Sequence, residues 1–282
     1  MGVDRSRKEL IHSLFETSGH GLEIGAGFSP LVPKEEGYWV EVVDHASAED
    51  LRLKYANASV DVSRVEEVDY IWDGRPLTEV IGKKNHYDFI VASHVIEHIP
   101  DMLGFLKECE ALLRPTGTLV LAVPDKRRCF DLLRPLSTTG AVLQAHLEKR
   151  KRHLPAIAFD QIAYAASLNG SPAWSKGTKG ELSQAHSLDF AQAVFDRSVS
   201  SDEYFDFHAW VFTPHSFRLI IRELNEISAL GLCEAEFRPT SDHEFFITLS
   251  QSAKGCPFDR LTLVRGVIEE LRECPVKPCA VI

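Results

Sequence analysis

Apolar and polar positions change period in a regular way along the chain. Leu10, Ile11, Leu14 and Phe15 recur at helical spacing and Ser6 with Glu9 matches a capping box, which predicts a helix over residues 4–17. A short strand follows at Gly21–Ile24 and ends in Gly25-Ala26-Gly27, where the chain must turn tightly. Trp39–Asp44 reads as the next strand, Ala48–Tyr55 as a helix, Val65–Ile71 as a strand and Leu77–Ile81 as a short helix. Tyr87–Ala92 is a largely apolar run suited to a strand buried on both faces. Asp101 can cap a helix over Met102–Leu113, and Pro115-Thr116-Gly117 turns that helix into the strand Thr118–Val123.

This alternation predicts an α/β fold, a doubly wound, mainly parallel seven-stranded sheet of Rossmann-like type. The rhythm breaks at Pro124, and residues 126–207 read as helices and loops, with helical stretches over Arg134–Arg152 and Leu182–Arg197. A helix from Pro214 to Leu230 then precedes two strands, Cys233–Arg238 and Phe245–Ser250, whose short connection makes the last strand antiparallel. The expected organisation is a cofactor-binding part over 1–125, an inserted helical lid or acceptor-binding region over 126–207, the end of the core over 208–250, and a C-terminal helix and tail over 251–282.

Composition narrows the function. The 282 residues carry 31 Lys plus Arg against 41 Asp plus Glu, and a net charge of −10 argues against gripping a nucleic acid backbone. Six cysteines are dispersed without a Cys-x-x-Cys pair, so neither a zinc knuckle nor a disulfide scaffold is supported, and a reducing cytoplasm fits best. No apolar stretch approaches the length needed for stable membrane insertion.

The chemistry gathers at the ends of the predicted strands. Glycines after Glu23 let the backbone come close to a ligand at the carboxyl edge of the sheet, where doubly wound folds bind nucleotides. Asp44 ends the second strand 21 residues later, where a carboxylate can accept the hydroxyl protons of a ribose. A dinucleotide site would want a third glycine opening a helix, but Pro30 and Pro33 follow instead. His94-Val95-Ile96-Glu97-His98 also spells the His-x-x-Glu-His pattern of inverted zinc peptidases, a rival that requires both histidines on one continuous helix.

Leu22 to Gly27, Asp44, Tyr87 to Asp101 and Leu112 to Pro124 together resemble the class I S-adenosylmethionine-dependent methyltransferases. The resemblance implies S-adenosyl-L-methionine as cofactor. It places the methionine end against Glu23, Gly25, Ala26 and Gly27 and the ribose at Asp44 beside His45. It puts the adenine near Asp69 and Tyr70, with Asp61 as a rival acid, and Ser93 and His94 at the tip of the fourth strand. Ser29 departs from the pattern, since many members carry another glycine there.

Val43-Asp44-His45-Ala46, Val123 to Arg127 and Phe207 to Trp210 further resemble bacterial methyltransferases associated with surface-glycan synthesis. The expected reaction is O-methylation of a sugar hydroxyl on a glycan or another polar acceptor. A small-molecule N- or O-methyltransferase and a non-catalytic cofactor-binding module are the alternatives. No metal is required for such a transfer, and a homodimer is an open expectation. His94, His98 and His208 are the candidate general bases, since imidazole titrates near neutrality. Trp174 and Trp210 are candidate stacking surfaces for a sugar ring. Lys126-Arg127-Arg128 is a candidate grip on an anionic acceptor, while Lys149-Arg150-Lys151-Arg152 reads as a solvated helix face.

Overall fold

In the computed structural model, residues 2–273 other than 59, 202 and 241 are described, residues 2–6 by backbone alone. The first helix, α1 (Gly2–His12), begins before Ser6, so the expected cap position lies inside it. Its Ile11, with Leu14 just beyond, enters a core shared with Phe89, Val91, Val120 and Ala122. Then come β1 (Gly21–Ile24), β2 (Val40–Asp44) and α2 (Ala48–Tyr55), whose N-cap Ser47 accepts from the Asp50 N–H.

The strand expected over Val65–Ile71 shrinks to β3 (Tyr70–Ile71), because Val65 packs down onto Ala48 and Leu51 of α2 rather than joining the sheet. After α3 (Leu77–Ile81), the apolar run forms β4 (Tyr87–Ser93). Its alternate residues enter opposite cores: Ile90 and Ala92 on one face, Phe89 and Val91 on the other.

The helix α4 (Met102–Leu112) is capped by Asp101, and its Met102, Leu103, Phe105, Leu106 and Cys109 enter the larger core. The turn expected at Pro115–Gly117 is instead an irregularity within β5 (Leu113–Pro124), which shifts register against β4 between Tyr87 and Phe89.

The inserted segment holds α5 (Thr139–Leu147), α6 (Pro155–Ala163), β6 (Ala166–Leu168), β7 (Leu182–Gln184) and α7 (Leu188–Ser200). Two expectations are corrected here. Leu182–Gln184 opens no helix but pairs antiparallel with β6, and the helix after it starts only where Ser187 caps the Phe190 N–H. The helix expected from Arg134 begins at Thr139, because Thr138 is its cap.

The core resumes with α8 (Pro214–Glu226), shorter than expected, then β8 (Cys233–Arg238), β9 (Glu244–Ser250) and α9 (Arg260–Arg272), capped by Asp259. Seven strands form one sheet in the order β3-β2-β1-β4-β5-β9-β8, parallel through β5, with β9 antiparallel to both neighbours. The order reverses between β1 and β4, which opens a crevice at their carboxyl ends. Among the described residues no helix is long and apolar enough to cross a membrane.

Candidate active site

At the tip of β1 the chain turns through two left-handed residues, Gly25 at φ 68° and Gly27 at φ 51°. The Gly25 N–H donates to the Val43 carbonyl at 2.9 Å, which pins the turn to β2. A Cβ at Gly25 would lie 2.8 Å from Val95 Cγ2, so no side chain fits without displacing β4's exit. Glu23 is fully buried beneath the turn and accepts from the Leu31 and Val32 N–H groups at 2.7 and 3.1 Å. Burial pushes its carboxyl up to about 7 against those bonds. Its place is under the loop, which it shapes.

Asp44 is 5% exposed at the tip of β2. Its Oδ2 accepts from the Gly27 N–H at 3.1 Å and its Oδ1 from the His45 N–H and Nδ1 at 2.7 and 2.6 Å. An ionised carboxylate offers about four lone-pair sites, so capacity for a ribose hydroxyl remains. The glycine turn and this carboxylate fit the nucleoside and methionine ends of S-adenosylmethionine.

The adenine candidates lie elsewhere. Asp69 is level with the middle of β2, where its carboxylate holds Lys34 at 2.6 Å and the Val42 N–H at 2.7 Å. The Tyr70 hydroxyl points toward Glu41, near the opposite end of β2. The residues that follow β3 at the carboxyl edge are Trp72 and Asp73. Asp61 is spent as a cap, accepting from Ser63.

The tip of β4 carries the densest chemistry. Ser93 accepts from Arg7 of α1 at 2.7 Å, and the same guanidinium forks onto Glu244 of β9 at 2.5 and 2.8 Å. His94 has a left-handed φ of 52°, an uncommon conformation for a residue with a side chain. Its Nε2 lies 2.9 Å from Glu244 and its Nδ1 3.4 Å from Glu97. Burial pulls its pKa down, but the two carboxylates overcome that and hold it near 9. His94 is a charged tie at neutral pH.

The next turn is a 3₁₀ segment, Ile96–His98, so His94 and His98 do not share a continuous helix and the zinc peptidase geometry is not met. Glu97 is 0% exposed, and neither of its oxygens has a hydrogen-bond partner among the described residues. Burial would raise its pKa, but the neighbouring histidines, His94 first, hold it below the ordinary value.

His98 donates from Nδ1 to Asp206 at 2.8 Å, and its Nε2 lies 3.9 Å from Glu97. His208 donates from Nδ1 to Asp131 at 2.6 Å, and Arg134 pairs with the same carboxylate at 2.7 Å. The two rings meet edge to face, 4.6 Å apart. Fold and insertion are tied at this point: the Trp210 N–H donates to the Glu97 carbonyl, and the Tyr204 hydroxyl to that of His98.

The family model described as a methyltransferase domain matches residues 3–170, more than half of the chain. The chain belongs to the methyltransferase-domain family. With this sheet and this first turn, the methyltransferase domain is of the class I, S-adenosylmethionine-dependent kind.

Among curated proteins, a ubiquinone biosynthesis O-methyltransferase of Rhodopseudomonas palustris is 38% identical over 50 residues, covering 18% of this chain and 20% of that protein. One of Bradyrhizobium diazoefficiens is 35% identical over 48 residues, 17% of this chain and 19% of that protein. The match thus spans about a fifth of those relatives' length. Among solved structures, the CcbJ methyltransferase of Streptomyces caelestis is similar over 89% of this chain and 90% of its own at 16% identity and a TM-score of 0.45. A 1,6-didemethyltoxoflavin-N1-methyltransferase of Burkholderia thailandensis, with S-adenosylhomocysteine bound, is similar over 88% and 77% at 14% identity and a TM-score of 0.43.

Several candidate acceptor contacts are instead structural parts of the methyltransferase. Trp174 and Trp210 are buried and donate from Nε1 to the Arg127 and Ile99 carbonyls, so neither presents a ring to a sugar. Lys126, Arg127 and Arg128 are buried too: Lys126 donates to the Arg134 carbonyl, Arg127 forks onto Asp125 and reaches Glu273, and Arg128 pairs with Glu273. The cluster fastens α9's end to the sheet edge. Sequence reasoning missed Arg7, Asp131, Asp206 and Glu244. The one local hint was Phe207-His208, placed where the insertion rejoins the core.

Proposed function

We propose that the methyltransferase transfers the methyl group of S-adenosylmethionine to a hydroxyl oxygen of a small polar acceptor, sugars included. In this reading Glu23 shapes the cofactor loop, Gly25, Ala26 and Gly27 allow close approach, and Asp44 with His45 receives the ribose. The bound cofactor supplies an electrophilic methyl carbon on a sulfonium. As the oxygen–carbon bond forms, the carbon–sulfur bond breaks and sulfur keeps the electron pair.

The observation that carries the reading is the trio of buried Glu97, half-buried His98 and buried His208 at the β4 tip, beside the turn that would seat the methyl donor. Asp206 takes the Nδ1–H of His98, which leaves Nε2 as the atom able to accept the hydroxyl proton. His94, charged near neutrality, is unsuited to that task. The O-methyltransferase names of the short-range relatives favour oxygen over nitrogen. Trp174 and Trp210 are buried and offer no stacking surface to the acceptor.

Incubation with methyl-labelled cofactor and pools of hydroxylated acceptors, followed by mass analysis, tests this. Methyl should appear on oxygen, and His98→Ala should lower turnover about a hundredfold while leaving cofactor affinity nearly intact. Methyl on nitrogen, or full turnover in both His98→Ala and His208→Ala, overturns it.

A further inference from the structure

We infer that Glu97, His98 and His208 together bind one divalent transition-metal ion of the zinc type. One ligand atom from each residue lies within 4.8 Å of those from the other two. Both histidines have their Nδ1 engaged by a carboxylate, Asp206 for one and Asp131 for the other, which leaves Nε2 as the nitrogen that would face the ion. Carboxylate-backed imidazoles of this kind surround protein-bound metals. A fully buried carboxylate without a hydrogen bond is costly to keep ionised, and a cation between it and the two rings removes that cost.

Two other groupings of histidine and carboxylate exist among the described residues, and each has its acid already satisfied. Glu244, beside His94 and His243, is held by Arg7, and Glu41, beside His20 and His86, is held by Lys83 and Tyr87. Glu97 differs in making no hydrogen bond from either oxygen, its ion pair with His94 being the longer contact of 3.4 Å. Glu97 Oε1, which lies 3.9 Å from His98 Nε2, also lies 3.4 Å from His94 Nδ1, so an ion bound through it would have His94 as a neighbouring donor to the same oxygen.

Two nitrogens and one oxygen suit zinc or cobalt, whereas magnesium and calcium prefer oxygen alone. Bonds of about 2.0–2.2 Å require the three groups to draw in by roughly an ångström, and a coordination position stays open. An acceptor hydroxyl in that position would be acidified by the ion and lose its proton to solvent, the histidines then acting as ligands. The ion itself is unchanged by the transfer. This consequence rests on the oxygen-directed reading above and, with the ion bound, replaces His98 as its base, while metal binding itself does not rest on that reading.

The test uses the full chain, stripped with a chelator, checked for native circular dichroism and dialysed against zinc or cobalt chloride. Elemental analysis should give one ion per chain, and bound cobalt should give visible absorption. Both signals should be lost in Glu97→Gln, His98→Ala and His208→Ala and kept in His94→Ala. Asp206→Asn, which leaves all three ligands in place, should weaken binding at least tenfold. Folded wild-type protein that takes up no more metal than folded Glu97→Gln overturns the site. Full methyl transfer in metal-free protein overturns the ion's role and leaves the oxygen-directed reading standing. Stoichiometric metal without methyl transfer to any oxygen acceptor does the reverse: the site stands and that reading falls.

Discussion

Single residues in the first turn set the cofactor edge. Gly25 and Gly27 were legible in the sequence because a strand that must turn at once needs residues free to adopt positive φ. Gly25→Val would strain that backbone and drive a side chain into Val95, and Asp44→Ala would remove the buried carboxylate. Isothermal calorimetry should show cofactor affinity falling at least tenfold in each. Glu23 was legible as important but not for its task, which depends on where Leu31 and Val32 return. Its pKa rises from 4.5 unfolded to about 7 folded, so between those values the unfolded chain releases a proton that the native state keeps. Stability should therefore fall as pH rises across that window, by up to about 3 kcal/mol, and denaturant titrations of Glu23→Gln should lack that slope. The histidine partners Asp131 and Asp206 could not be read, since they meet their imidazoles across 77 and 108 residues of chain.

Secondary elements were best predicted where a local stop or start coincided with the hydrophobic period. Ala48–Tyr55 and Leu77–Ile81 match their expected limits because Ser47 begins the first and Gly82 ends the second in a left-handed C-cap. Val65 misled because an apolar residue before an edge strand has two places to bury itself. The β6–β7 ribbon was missed because three-residue strands carry almost no period. What α1 does was also invisible: through Arg7 it joins the tips of β4 and β9. Arg7→Ala leaves the buried Glu244 without its guanidinium and should cost about 2 kcal/mol, read from the urea midpoint at unchanged slope.

Over the whole molecule, the strand–helix rhythm of the sheet stops after β5, and buried residues over 126–134 and 207–213 attach the segment of helices and ribbon that lies between β5 and α8. His153, near the α6 end of that segment, is buried and bonded to Tyr204. Burial lowers its pKa to about 4, against the partial opposition of Asp206, with His98, Arg134 and His208 also lowering it. The folded state thus holds it neutral, a contribution complete above about 6.5 and lost as pH falls toward 4. Hydrogen exchange in residues 153–207 should quicken across that interval before the central strands do, and His153→Gln should blunt the change.

The stitches from Tyr204, Asp206 and Trp210 to Glu97 and His98 divide the insertion into parts with different freedom to diverge. Val142 and Ala145 of α5 lie in the larger core, Gln161 of α6 accepts the His208 N–H, and Trp174 is bonded to Arg127 and Arg128, so within Thr139 to Ser200 the β7–α7 part, Leu182–Ser200, is the portion that chimeras could exchange for foreign sequence. The return segment beyond it is sutured to Glu97 and His98 at the tip of β4. Sequence divergence in this lineage should therefore accumulate in β7 and α7 and leave that suture alone.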